Sequence, residues 1–193
     1  MLSEQRLQIL AAAAAFGLAG AGCTVNEVIQ AETTELEVAS LSVSEALLLD
    51  VGVLRFDHGV PPNNDIEKTG IYPEVRMAEA RYLPYHIKTT LQGTGYWGAV
   101  RVIPSREVAT DVIVHGAIEQ SDGEYVTLLI GASDATGQLW FEREYSAQTG
   151  ISSYAEYRDR TQDPYQKVFN EFANDLHEYV TTLEPKQIAR IRE

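Results

Sequence analysis

The chain is predicted to fold as a single α+β domain, a mainly antiparallel sheet with one long helix packed on it and further helices at the carboxy terminus. Three observations lead there. Short runs of strand formers recur through the middle of the chain, tight Asp- and Gly-containing turns separate the last three of them, and two longer segments carry apolar residues at helical spacing.

The first strand is read at Asp50 to Phe56, ending at Asp57-His58-Gly59 before the turn cluster Pro61-Pro62-Asn63-Asn64-Asp65 and a loop to about Tyr72. Pro73 suits the first position of a helix, and Val75, Ala78, Tyr82, Leu83, Ile87, Thr90 and Leu91 are read as its buried face. Pro84 removes a backbone donor, so a bend or break is expected near Ala80 to Leu83, with the stop at Gly93. Ala99 to Ile103 reads as a strand closed by Pro104. Asp111 to Glu119, Glu124 to Ala132 and Gln138 to Tyr145 then form an antiparallel meander, joined through Ser121-Asp122-Gly123 and Asp134-Ala135-Thr136-Gly137 with Gly at the left-handed position. Asp163-Pro164 opens a helix whose stripe is Val168, Phe169, Phe172, Ala173, Leu176, Tyr179, Val180 and Leu183, and Pro185 starts a last short one. Ser44 to Leu49 is either a short helical turn or the start of the first strand.

The amino terminus reads as an address. Arg6 precedes an apolar, small-residue run to Gly22 that is too short to cross a bilayer, which needs roughly 20 residues. Gly20-Ala21-Gly22 stand before Cys23, and this stretch resembles the lipobox of bacterial lipoproteins at Ala21, Gly22 and Cys23, departing from it at Gly20, where a larger aliphatic residue is usual. The resemblance implies a signal peptide over 1–22 and a palmitate-type lipid modification at Cys23, with Thr24 favouring the outer membrane. Residues 23–46, acidic and rich in Thr, Ser and Glu, read as a tether, leaving 47–193 as the globular domain.

A formal net charge of −13, from 28 acidic and 15 basic residues, repels nucleic-acid backbones and anionic head groups and favours protein partners. A single Cys forbids an internal disulfide. His58, His86, His115 and His177 show no metal-ligand spacing, so no metal or cofactor is expected. Asp57 and His58 at a strand end are the one candidate acid–base pair, and no nucleophile accompanies them. Gly93, Gly95 and Gly98 precede a strand and lack a Lys-Ser/Thr ending, so they fit a helix cap and turn better than a phosphate loop. Tyr96, Trp97, Trp140, Phe141 and Tyr145 are read mainly as core, while Tyr154, Tyr157, Arg158, Arg160 and Tyr165 form the candidate partner-binding surface.

From Val51 to Tyr145 the succession of elements resembles a group of envelope lipoproteins that includes the curli-secretion lipoprotein, the lipoprotein activators of penicillin-binding proteins and the amino-terminal domain of TolB. The residues carrying it are Val51 to Phe56, Leu91 to Tyr96 leading into Val100-Arg101-Val102, Asp111 to Ile118, and Asp134 to Trp140. These are fold signatures. They imply a non-enzymatic, periplasm-facing outer-membrane protein of the cell envelope whose function is protein binding in assembly or regulation. An envelope hydrolase and an auxiliary ligand-binding lipoprotein of a transport system stand as alternatives, and self-association is left open.

Overall fold

The computed structural model describes residues 34–148 and 165–193. Within them a 3₁₀ turn (Glu45–Leu47) precedes β1 (Val51–Leu54), a one-turn helix α1 (Ile66–Thr69), α2 (Pro73–Thr94), β2 (Val100–Ile103), β3 (Val112–Ser121), β4 (Tyr125–Asp134), β5 (Leu139–Gln148), α3 (Gln166–Thr181) and α4 (Pro185–Ile191). The α+β class holds. The strands form one sheet in the order β2-β1-β3-β4-β5. Its long half, β3-β4-β5, is the antiparallel meander, while β1 runs parallel to both β2 and β3.

Each hairpin turn is organised by an aspartate followed by a left-handed glycine. Asp122 Oδ1 accepts the N–H groups of Glu124 and Tyr125 beside Gly123 at φ 89°, and Asp134 Oδ1 accepts those of Thr136 and Gln138 beside Gly137 at φ 87°. The backbone hydrogen bonds to Tyr125 lead the influences that hold the Asp122 carboxyl below its ordinary value.

The two parallel pairings need crossovers. Helix α2 makes the first, and the second is the loop 104–111, which passes over β1 on the other side of the sheet. Gly52 fits under that loop because a Cβ there would come 2.5 Å from Ile103 Cδ1 and 3.0 Å from Thr110 Cγ2. The strand starts are tied together by Asp50. Its carbonyl accepts from Asp111, Val112 and the Thr110 hydroxyl, its N–H donates to Asp111 Oδ2 at 2.7 Å, and its own Oδ1 accepts from Ala99 at 2.7 Å.

Helix α2 departs from the sequence reading in three ways. It is not interrupted at Pro84: it runs through to Thr94 and stops at Gly95, φ 73°, two residues beyond the expected Gly93. A proline four residues on leaves the Ala80 carbonyl without its helical donor, and here the Phe56 N–H supplies one at 3.1 Å, so the helix is stitched to the end of β1. The buried face is Arg76, Ala80, Leu83, Pro84, Ile87, Thr90, Leu91 and Thr94. Val75, Ala78 and Tyr82, assigned to the core from sequence, are exposed.

Helix α3 buries Val168, Phe169, Phe172, Ala173 and Leu176, with Tyr179, Val180 and Leu183 partly buried against the same core. Helices α2 and α3 pack side by side on one face of the sheet, α2 over β1, β2 and β3 and α3 over β4 and β5. His86 stacks on Phe169 between them with ring centroids 5.1 Å apart.

The described end of the tether segment is held against this layer. Asn170 Nδ2 donates to the Thr34 carbonyl and Asn174, one turn later, donates to the Glu35 carbonyl and accepts from the Glu37 N–H. Leu36 packs on the core and the Ala39 N–H reaches the Thr94 carbonyl at 2.8 Å. Asn174→Ala removes two of these bonds and is expected to cost about 1 kcal/mol, since the freed backbone can turn to water. The check is limited proteolysis, which should cut between Thr34 and Ala39 faster in the variant.

Candidate functional site

Among the described residues no helix covers the opposite face of β3-β4-β5, and a cleft of about 570 Å³ lies on it. Its floor is Ile113 and His115 from β3, Ser133 from β4, and Leu139 and Glu142 from β5; the loop from Arg106 to Thr110 forms one wall. Strand alternation explains the floor, because Val112 and Val114 point into the core and Ile113 and His115 therefore point away from it.

Pairing register places His115 opposite Gly131, and Gly131 opposite Glu142. Gly131 has no side chain, so the imidazole lies across β4 and its Nε2 meets Glu142 Oε2 on the next strand at 3.2 Å. A Cβ at Gly131 would come 2.8 Å from His115 Nε2. The other ring nitrogen, Nδ1, is buried and without a hydrogen-bond partner. Ser133 is bonded to Arg106 Nη1 at 3.4 Å and not to His115, so serine, histidine and glutamate do not form a nucleophilic relay. At the cleft's end Asp134 is consumed by structure, its Oδ1 by the turn and by the Thr136 hydroxyl at 2.6 Å, its Oδ2 by Trp140 Nε1 at 3.0 Å. Burial, the largest influence, raises the Asp134 carboxyl, but the Thr136, Trp140 and Gln138 bonds together hold it below its ordinary value. What the cleft offers a ligand is the apolar surface of Ile113, Val108 and Leu139, the last two exposed, beside one guanidinium, one imidazole and the carboxylates of Glu107 and Glu142.

Cys23, Tyr154, Tyr157, Arg158 and Arg160 lie outside the described residues. Tyr165 is described: it stands at the N-cap position of α3, partly buried against the core. The strand aromatics are core, as expected. Trp97, Trp140 and Tyr145 are buried; Phe141 and Tyr96 pack against the core, with Tyr96 stacked on His177 at a centroid distance of 3.4 Å. Desolvation lowers the His177 pKa there. Asp57 and His58 are spent locally, their side chains accepting the Gly59 and Val60 N–H groups at 2.9 and 3.0 Å, and they do not line the cleft on the sheet face. Gly95 is the helix cap, and Gly98 is pressed against Asp50 and the Leu49 carbonyl. Among the described residues no group of three or more His, Cys, Asp or Glu is placed to hold a metal ion.

The cleft residues Arg106, His115, Ser133 and Glu142 were missed from sequence. The available signal was a glycine inside the β4 run, which marks close approach in a strand, but pairing register is needed to show what approaches it.

No family model matches the chain, and no curated protein matches it. Among solved structures it is similar to the hypothetical protein CT253 from Chlamydia trachomatis, at 12% identity over 69% of this chain and 99% of that one, with a TM-score of 0.45. Protein XCC0632 from Xanthomonas campestris, of family DUF330, matches at 11% identity over 81% and 94%, TM-score 0.41. PelC from Paraburkholderia phytofirmans, solved as a dodecamer, matches at 17% identity over 84% and 98%, TM-score 0.40. At these levels none of them assigns a function to this chain.

Proposed function

We propose that the chain is a lipid-anchored, periplasm-facing outer-membrane protein that binds another envelope protein in assembly or regulation, without catalysing a reaction. The address comes from Ala21-Gly22-Cys23 and the run before it. The observation that carries the binding role is the cleft on the sheet face away from the described helices, where the apolar Ile113 and Leu139 stand among polar groups, with Arg106 bonded to Ser133, His115 to Glu142 and Trp140 to Asp134. Engaged groups of this kind orient a ligand and do not attack it. The occupant this cleft suits is an extended polypeptide segment carrying basic and apolar side chains, the bases for Glu107 and Glu142 and for the field of a chain with net charge −13, the apolar groups for Ile113 and Leu139. Partner binding through Tyr154, Tyr157, Arg158, Arg160 and Tyr165 belongs to the same proposal as a second contact.

A photo-crosslinking residue at Leu139 tests this in intact cells. One discrete adduct with a different protein is expected, and it should disappear when Glu107→Lys and Glu142→Lys reverse the charge of the rim. No adduct, an adduct only with the chain itself, or the same pattern from Lys186 on α4 would overturn the proposal.

A further inference from the structure

The exposed side of α2 carries a second apolar stripe. Val75, Tyr82 and Tyr85 are 54%, 61% and 56% exposed, Ala78 is exposed between them, and Tyr72 stands just before the helix. At 3.6 residues per turn Val75, Ala78, Tyr82 and Tyr85 fall on the side opposite Ala80, Leu83, Ile87 and Leu91, so the core does not account for them. Their spacing is symmetric. Counted outward from the midpoint of Ala78 and Glu79, Val75 mirrors Tyr82 and Tyr72 mirrors Tyr85.

We propose that this stripe pairs with the same helix of a second copy of the chain, antiparallel, about a two-fold axis passing between the helices beside Ala78. A pattern that reads the same in both directions is what an isologous contact requires. Val75 then meets the partner's Tyr82, and the small Ala78 side chain lets the helices come close at the axis. Charge agrees with this pairing. Glu74 and Arg81 lie on one flank of the stripe, and neither is in an ion pair among the described residues. A two-fold perpendicular to the helices sets like flank against like flank, bringing each Glu74 within about two residues' rise, roughly 3 Å, of the level of the other copy's Arg81. The pairing leaves the sheet-face cleft free, so it does not depend on the proposed binding role.

The test uses the full-length chain in a mild detergent with a short bis-maleimide. Ala78→Cys is expected to give a covalent dimer well above the wild-type chain, which keeps Cys23 as the baseline, whereas Lys186→Cys on α4 stays at that baseline. Glu74→Arg alone and Arg81→Glu alone, each added to Ala78→Cys, should reduce the dimer several-fold, and the two together should restore it. All these sites are exposed, and an unchanged circular-dichroism melt confirms that each variant is folded. Equal crosslinking from positions 78 and 186, no dimer from 78, or failure of the double reversal to restore it would overturn the proposal.

Discussion

Phe172→Ala is expected to destabilise the domain by about 3–5 kcal/mol, the range for truncating a fully buried phenylalanine. Phe172 is 0% exposed in the middle of α3, edge-on to Tyr145 with centroids 5.8 Å apart and tilted against Phe141 at 6.1 Å. Both partners belong to β5, the edge strand of the meander. Among the described residues strand β5 has one neighbour in the sheet, so its attachment to the core depends on α3 more than that of the inner strands. Polar contacts beside Phe172 do not compensate. The Tyr145 hydroxyl donates to Asp175 Oδ2 at 2.7 Å and Arg143 donates to the same oxygen at 2.8 Å, but that cluster sits at the rim of the interface. Burial, reinforced by the bond to Asp175, pushes the Tyr145 pKa up, so its phenol stays protonated and donating throughout the ordinary pH range. Since domains of this size are stable by about 5–15 kcal/mol, the truncation should remove a large share of the total, readable in chemical denaturation.

The second large effect is expected at Asp134. Asp134→Ala leaves the Trp140 indole N–H, the Thr136 hydroxyl and the Thr136 and Gln138 N–H groups without their acceptor, and a loss on the order of 3 kcal/mol should follow. The consequence is double, because Trp140 also stacks on Tyr179 of α3 at 4.9 Å and so links the turn to the helix layer. The charge itself adds a pH dependence. Although burial opposes it, the surrounding donors hold the folded-state pKa of Asp134 below the ordinary 3.8, so the native state resists protonation that the unfolded state accepts. Its contribution is therefore present above about pH 3.8 and is lost as the pH falls below that value through the lower folded-state pKa. Asp134→Asn should flatten that acid limb while a control at an exposed carboxylate such as Glu193 leaves it unchanged. Thermal melts between neutral pH and pH 2.5, the acid end set to lie below the ordinary carboxylate range, read the difference.

Much of the fold was legible because its determinants are local. Runs of strand formers marked the five strands, Asp122-Gly123 and Asp134 to Gly137 announced the meander, and the stripe from Val168 to Leu176 gave the buried face of α3, whose N-cap is Tyr165 and not the expected Asp163. The parallel placement of β1 between β2 and β3 was not legible, since nothing near Val51 to Leu54 records which strands will flank it. Helix α2 misled for a physical reason. It has apolar residues on two sides: Leu83, Ile87, Thr90 and Leu91 face the core as expected, whereas Val75, Ala78 and Tyr82, grouped with them from sequence, lie on the opposite side, and Arg76 and Ala80 take their place. Pro84 misled likewise, because the donor that replaces its missing bond, the Phe56 N–H, lies in another element. The cleft was hidden for the same kind of reason. His115 and Glu142 are far apart in sequence and become neighbours only when the register of β3, β4 and β5 lays the ring across Gly131.

The envelope reading rests on Cys23, and one measurement reaches it most directly. Cells making the wild-type chain or Cys23→Ala are fed a fatty-acid probe, the chain is isolated and its label is compared, with the membranes fractionated alongside. The wild-type chain is expected to carry the label and sediment with the outer membrane, and Cys23→Ala to carry none. Equal labelling of the two, or an unlabelled wild-type chain in the soluble fraction, would contradict it.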